Sequence, residues 1–257
     1  MELDVEQGNA VLEEQQQHPP QTGLYRNPAT GWLTLEIPFS GGGRKQFEVR
    51  LATVAFYRGG RTTSSACWTQ FFNRLVARCS GSGDGVNTFT HAELAFKFTS
   101  VDAQHEFWLA CCIYTGERLQ FEAKTHKFLE EWRETLWTLV TLNLSRVQVE
   151  TLLLACVQDV QRGLRFNNWL YWNFFVSCSA LRYDGQLEQA AWCSEHICAR
   201  LQALHLPGLE TVQACHTSPQ HLYDLIIRLG ISTPCLLSYE RAMRIAQRMT
   251  KLHAVWT

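Results

Sequence analysis

No stretch of about eighteen apolar residues runs through this chain, so no membrane-spanning helix is expected. The most aromatic stretch, Trp169 to Val176, is too short and is interrupted by Asn173. A basic excess is missing too. The 257 residues carry a formal net charge of −1, which leaves little to neutralise phosphates and argues against a nucleic-acid partner. The segment Met1-Glu-Leu-Asp-Val-Glu6 is acidic and has no apolar core, so secretion by a signal peptide is not expected. The chain also lacks a Gly-x-x-x-x-Gly-Lys phosphate loop, a Gly-x-Gly-x-x-Gly fingerprint, a Gly-x-Ser-x-Gly elbow and a His-Glu-x-x-His helix. Those absences remove nucleotide binding, serine hydrolase elbows and zincin chemistry from the leading readings, and no cofactor is expected.

Hydrophobic residues make up 46% of the chain, with 9 Trp and 14 Phe, enough for a sizeable core without covalent staples. Ten cysteines would suit a disulfide framework in a small secreted domain. Here several sit inside apolar runs, such as Leu109-Ala-Cys-Cys-Ile113 and Leu154-Ala-Cys-Val157. An intracellular, reducing setting is therefore expected, with most cysteines acting as small buried hydrophobes.

The pattern along the chain is that of an α+β protein. Residues 1–30 read as a polar, disordered tail, with Glu13-Glu-Gln-Gln-Gln17 and His18-Pro-Pro20 opposing regular structure. Trp32–Phe39 and Gln46–Tyr57 read as strands of a hairpin across Ser40–Lys45, with Pro38 favouring an edge. A short helix is expected over Cys67–Cys79, a loop at Ser80-Gly-Ser-Gly-Asp-Gly85, and strands over Phe89–Phe98, Glu106–Ile113 and Arg118–Ala123, the last two joined by a turn at Thr115-Gly-Glu117. Adjacent strands of this kind imply an antiparallel sheet. Leu144–Gly163 carries a capping box (Ser145, Gln148), an apolar stripe (Val149, Leu152, Leu153, Cys156, Val160) and a closing glycine. Further helices are expected from Cys193 to Leu206, from Ser218 as N-cap with Pro219 at the first position, and over Tyr239–Leu252. The resulting division is a tail over 1–30, a domain over 31–232 and a helical extension over 233–257.

Two places carry candidate chemistry. In Thr90-His-Ala-Glu-Leu-Ala-Phe96, His91 and Glu93 stand two apart and share one face of a strand, while Ala92, Leu94 and Phe96 point to the other. A carboxylate beside an imidazole fixes its tautomer and stabilises its cation. The bland alternative is two solvated residues on an open sheet face. In Ala191-Trp-Cys-Ser-Glu-His-Ile197, Cys193 opens a helix, where free N–H groups and the helix dipole favour a thiolate. Its alternative is a buried structural cysteine. A third arrangement, zinc held among Cys193, His196, Cys198, Cys215 and His216, lacks any Cys-x-x-Cys pair to support it.

The order of parts, a strand-borne His followed by a long helix, an aromatic segment and a Cys opening a helix, resembles the circularly permuted branch of the NlpC-type papain-like superfamily. The likeness is strongest to members encoded by large DNA viruses. It is carried by Phe89–Phe96, by Arg162-Gly-Leu-Arg-Phe-Asn-Asn168 running into Tyr171-Trp-Asn-Phe-Phe175, by Trp192-Cys-Ser-Glu195 and by Ser218-Pro-Gln-His-Leu-Tyr223, over roughly residues 50–230. A Trp precedes Cys193 where Tyr or Phe is commoner. The resemblance implies a small antiparallel sheet packed on helices, with Cys193 as nucleophile and His91 as base. It implies Glu93 as the third polar residue, with Glu122 as the alternative on the next strand.

The activity so implied is that of a thiol hydrolase (cysteine peptidase or amidase) or acyltransferase acting on a peptide, amide or lipid acyl bond, and Trp169, Tyr171, Trp172, Phe174 and Phe175 would line an acyl groove or fill a core. The competing expectation is a catalytically idle scaffold or virion component. Its tail and its last basic helix (Arg241, Arg244, Arg248, Lys251) would then meet viral or host proteins, in the host cytoplasm or the virion.

Overall fold

The computed structural model describes residues 23–39, 43–58, 89–103, 105–113, 117–124, 137–166 and 190–234. Most of the expected tail, the Cys67–Cys79 helix, the Ser80–Gly85 loop, most of the Thr115–Glu117 turn, the aromatic segment from Trp169 to Phe175 and the Tyr239–Leu252 helix lie outside these residues. What is described is a mixed α+β structure with a mainly antiparallel sheet and three α-helices.

The sheet is organised around one long strand. Strands β1 (Leu24–Arg26), β2 (Leu33–Phe39), β3 (Gly43–Tyr57), β4 (His91–Ser100), β5 (Glu106–Cys112) and β6 (Gln120–Lys124) follow one another in space as in sequence, all antiparallel. β3 pairs with β4 along one edge, and along the other it pairs first with β2 and then with β7 (Trp137–Leu142), whose far edge receives β10 (Ser232–Pro234). Fifteen residues give β3 the length to do this. A bulge between Val49 and Leu51 lets Phe47 and Val49 share a face with Ala52, Val54 and Phe56, although a strict two-residue alternation would separate them. Pro38 pairs with Arg44 of β3, beyond the three residues of β2 that pair with β1, so it disturbs no ladder on its other side.

The three described helices pack on one face of the sheet. α1 (Arg146–Arg162) opens with the expected capping box: Ser145 Oγ accepts from Gln148 N–H at 3.3 Å, and Gln148 Oε1 accepts from Ser145 N–H at 2.9 Å. It closes at Gly163 with φ of 70°. Its Val149, Leu152, Leu153 and Cys156 meet Val54, Phe56, Leu94, Phe96 and Phe98 in one core with Ile197, Cys198 and Leu201 of α2 (Cys193–Gln202) and Leu222, Leu225 and Ile226 of α3 (Pro219–Arg228). α3 starts as expected, with Ser218 Oγ accepting from His221 N–H at 3.1 Å and Pro219 in the first position. A smaller cluster of Ala95, Trp108, Ala110 and Cys112 covers part of the opposite face.

Three expectations change. The polar stretch assigned to a tail up to residue 30 already contains β1, so the sheet begins at Leu24. α2 stops at Gln202 and not Leu206, because the chain turns at His205 (φ 52°) and the Gln202 side chain is spent on the carbonyls of Leu209 (2.8 Å) and Val212 (2.6 Å). The sheet extends past residue 232 through β10.

The N-terminal hairpin is fastened to α1 by a buried carboxylate. Glu150 accepts from Leu33 N–H (3.0 Å), Arg146 Nε (3.0 Å) and Arg26 Nη2 (2.8 Å). The Arg146 and Arg50 guanidinium groups each stand 4.6 Å from the Trp32 ring. Burial acts to raise the Glu150 pKa, but the Leu33 amide and the two arginines outweigh it and hold the carboxyl below its ordinary value. Glu150→Gln is expected to destabilise the protein by about 1–3 kcal/mol at pH 7 in urea titrations. Because the native pKa is the lower one, the difference is full above the ordinary carboxylate range and shrinks as the pH falls through the lowered value.

Candidate active site

Cys193 is the first residue of α2, and its approach is fixed on both sides. Two residues before the helix, β9 (Ala190–Ala191) pairs in parallel with β8 (Arg165–Phe166), which leaves the end of α1. Trp192 then stands at the N-cap in extended conformation (φ −100°, ψ 172°). Trp has no short oxygen to offer the helix, and the capping carboxylate comes from Glu195, whose Oε2 accepts from Trp192 N–H at 3.3 Å. Burial pushes the Glu195 carboxyl up to about 7, with the Trp192 amide pulling the other way.

The polar neighbours of Cys193 are buried and bonded. Ser194 Oγ donates to Thr217 O at 2.6 Å, and Thr217 Oγ1 donates to Gln213 O at 3.0 Å and reaches Cys198 Sγ at 3.7 Å. One turn into the helix, His196 Nε2 lies 2.9 Å from Asp159 Oδ2, and Arg200 holds the same carboxylate through Nε (2.6 Å) and Nη2 (2.9 Å). Asp159 belongs to α1 and is 2% exposed, so this cluster pins α2 to α1. His196 is thereby taken. No group of three or more His, Cys, Asp or Glu able to hold a metal occurs among the described residues, and the zinc arrangement is not formed there.

His91 is the first residue of β4 and faces Cys193. Pairing of β4 with β5 begins only at Leu94↔Cys111, which leaves the Ala92 amide without a β5 partner. The thiol accepts hydrogen bonds from the Ala92 and Ser194 amides and is hydrogen-bonded to the His91 side chain. Burial alone would raise the Cys193 pKa, but the His91 charge and hydrogen bond and the two amides outweigh it, and the thiol is held below its ordinary value. Burial likewise opposes charge on His91, but the Cys193 thiolate and Glu93 win and push the imidazole up to about 10. Other buried thiols go the opposite way: burial raises Cys111, and raises Cys198 to about 11.

Glu93 is the carboxylate on His91, with Oε1 at 3.4 Å from Nε2. The solvated open-face alternative does not hold, since Glu93 is 1% exposed while His91 keeps 20% and Cys193 7%. Glu122 lies elsewhere. It sits on β6 opposite Ala110, which pairs with Ala95, and takes a hydrogen bond from Gln120 at 3.0 Å. The structure thus brings Cys193, His91 and Glu93 together and leaves Glu122 two strands from β4.

Around His91, the Trp137 ring stands edge-on at 6.2 Å and packs at 5.0 Å on Tyr57, the β3 partner of His91. Neither residue stood out in the sequence. The aromatic and β-branched content of Trp137-Thr-Leu-Val-Thr-Leu142 was the available signal for β7.

Asp159 was equally hidden as a charge within the apolar stripe of α1. Asp159→Ala leaves Arg200 and His196 facing an empty position, and a loss of about 3 kcal/mol is expected by urea unfolding. A loss below about 1 kcal/mol would mean that the cluster does not hold α2 in place.

No protein-family model, no curated protein and no solved structure matches the chain.

Proposed function

We propose that this chain is a thiol-dependent hydrolase or acyltransferase of the permuted papain-like, NlpC type, working on a peptide, amide or lipid acyl bond. The observation that carries the reading is the trio itself. A thiol at a helix N-terminus is hydrogen-bonded to an imidazole, and that imidazole is backed by a buried carboxylate. The residue order His then Cys agrees with the permuted family that the sequence resembles.

The chemistry follows from the charges. The lowered thiol and the raised imidazole favour a resting site with the proton on His91 and a thiolate sulfur. The thiolate attacks the acyl carbon and forms an S–C bond, and the carbonyl π electrons move to oxygen. When the tetrahedral adduct collapses, the bond to the leaving nitrogen or oxygen breaks and His91 delivers its proton to that atom. His91, now neutral, takes a proton from water or another acceptor, whose oxygen attacks the thioester. Collapse returns the acyl product, the thiolate and imidazolium. Glu93 Oε1, 3.4 Å from Nε2, stabilises the imidazolium form of His91. The backbone N–H groups at the start of α2 are the donors suited to the transient oxyanion.

A second reading, a papain-like scaffold that binds without catalysis, draws on the small exposure of Cys193. The resemblance to proteins of large DNA viruses would place either form in an infected cell or a virion, with viral or host proteins as partners.

The two readings part on the pH dependence of alkylation at Cys193, followed by mass spectrometry on the native protein. Reactivity is expected to set in below the ordinary thiol range and to persist at higher pH, with a change of rate near pH 10 as His91 loses its proton. His91→Ala removes the cation but keeps the burial. It should raise the apparent pKa of Cys193 by more than one unit, which is more than tenfold less thiolate at pH 6–7. Glu93→Gln should move that change of rate to lower pH and leave the onset of reactivity closer to the native one. A Cys193 no more reactive than Cys198 and Cys156, and indifferent to His91→Ala, refutes the catalytic reading in favour of the scaffold.

A further inference from the structure

His91 occupies an exposed mechanical position for a residue that must hold a charge pair. It begins β4, its cross-strand partner is Tyr57, and no β5 residue pairs with it. Strand ends open more readily than strand centres. What precedes His91 is nevertheless tightly held. Thr90 N–H donates to Tyr57 O at 2.9 Å, and Phe89 N–H donates to Gln220 Oε1 at 3.2 Å. The Phe89 ring is boxed by Phe56 (centroids 5.3 Å) and Tyr223 (4.8 Å), with the Arg58 guanidinium 4.9 Å over its face.

Gln220 is itself oriented. Its Nε2 donates to Asp224 Oδ1 at 3.0 Å, one helical turn on, which leaves the amide oxygen as the end that meets Phe89. It lies in the first turn of α3, whose start is set by the Ser218 cap and Pro219. The same short segment also reaches the nucleophile side, because Ser194, next to Cys193, donates to Thr217 O at 2.6 Å. Residues 217–220 therefore touch the immediate neighbours of both partners, one residue from the thiol and two from the imidazole.

Resting on the thiol-site reading above, we propose that Gln220 is a positioning residue for His91: through Phe89 it sets the imidazole at the distance from Cys193 at which the charge pair forms, and the Thr217–Gln220 segment acts as a common gauge for both. Gln220 touches neither reacting group. Its effect is carried by the backbone of Phe89 and Thr90.

The test is the alkylation profile of Cys193 with iodoacetamide, measured alongside thermal unfolding. Gln220→Met keeps the length and removes the acceptor. It is expected to raise the apparent pKa of Cys193 by about one unit, so that the rate at pH 6 falls about tenfold while the rate near pH 9 stays within about twofold. Gln220→Glu combined with Asp224→Asn retains an acceptor oxygen toward Phe89 without setting two carboxylates one turn apart, and should restore the native profile. Asp224→Ala, an exposed change that frees the amide to turn, should give a smaller shift of the same sign, and it carries the comparison if Gln220→Met does not fold. A Gln220→Met profile that overlays the native one overturns the proposal. So does an equal fall at every pH with a lowered melting temperature, which marks a merely structural role. A native protein without the low-pH limb, indifferent to His91→Ala, removes the thiol-site reading and this inference with it. That outcome is read before any Gln220 variant is made.

Discussion

The Cys193 thiol and the His91 imidazole favour one another's charged forms, against a burial that opposes charge on both. Desolvation is the largest single influence on both, and it opposes charge on both. The neighbouring thiols show what happens without a cation: burial drives Cys198 up to about 11. The pair works only while the two groups stay in hydrogen-bonding contact, because the attraction that offsets desolvation falls with distance. Much of the described structure can be read as the means of keeping them there. The two come from elements about a hundred residues apart in sequence, and each element is secured separately.

On the thiol side, β9 is tied to β8 and so to the end of α1, the Asp159 carboxylate pins α2 to α1 one turn further on, and Ser194 is bonded to Thr217. On the imidazole side, β4 is paired along its whole length with β3, the most heavily shared strand of the sheet. The early end of β5 matters as much as the strands that are present. Because that ladder begins at Leu94, the Ala92 amide is free to donate to sulfur, and the thiol occupies a position where another strand residue would otherwise stand.

Local signals in the sequence were enough for the three described helices and for strands β2 to β6. Ser145 with Gln148, Gly163, and Ser218 with Pro219 each act through their nearest neighbours, and each performs as the local chemistry dictates. The relation of His91 to Glu93 was legible for the same reason, since a two-residue spacing on a strand decides the shared face. Whether that face was open or covered was not legible, because cover comes from elsewhere in the chain. β1, β7 and the short strands β8, β9 and β10 were missed. Three residues at the end of a polar stretch carry little pattern, and Trp137–Leu142 mixes threonine with apolar residues on both faces, so its edges blur. The contacts of Asp159 and Gln220 are tertiary. Asp159 meets residues 37 and 41 positions away, and Gln220 meets one 131 positions away, beyond the reach of any periodicity.

The buried carboxylates show how the site differs from its supports. Glu48 is held by Thr30 and Arg50, Glu150 by Leu33, Arg26 and Arg146, and Asp159 by His196 and Arg200. Each of these joins segments or neighbouring side chains and ends there. Glu195 is the counterexample, a buried carboxyl opposed only by the Trp192 amide, and burial carries it up to about 7. Glu93 is as deeply buried as any of them, and its cation is an imidazole that in turn holds a thiol. That continuation from carboxylate to imidazole to thiol is absent from the other three clusters. A scaffold could be stabilised by a carboxylate facing an arginine. Spending a buried carboxylate on a histidine, and the histidine on a thiolate, has a physical rationale when the sulfur anion itself is what the fold must keep.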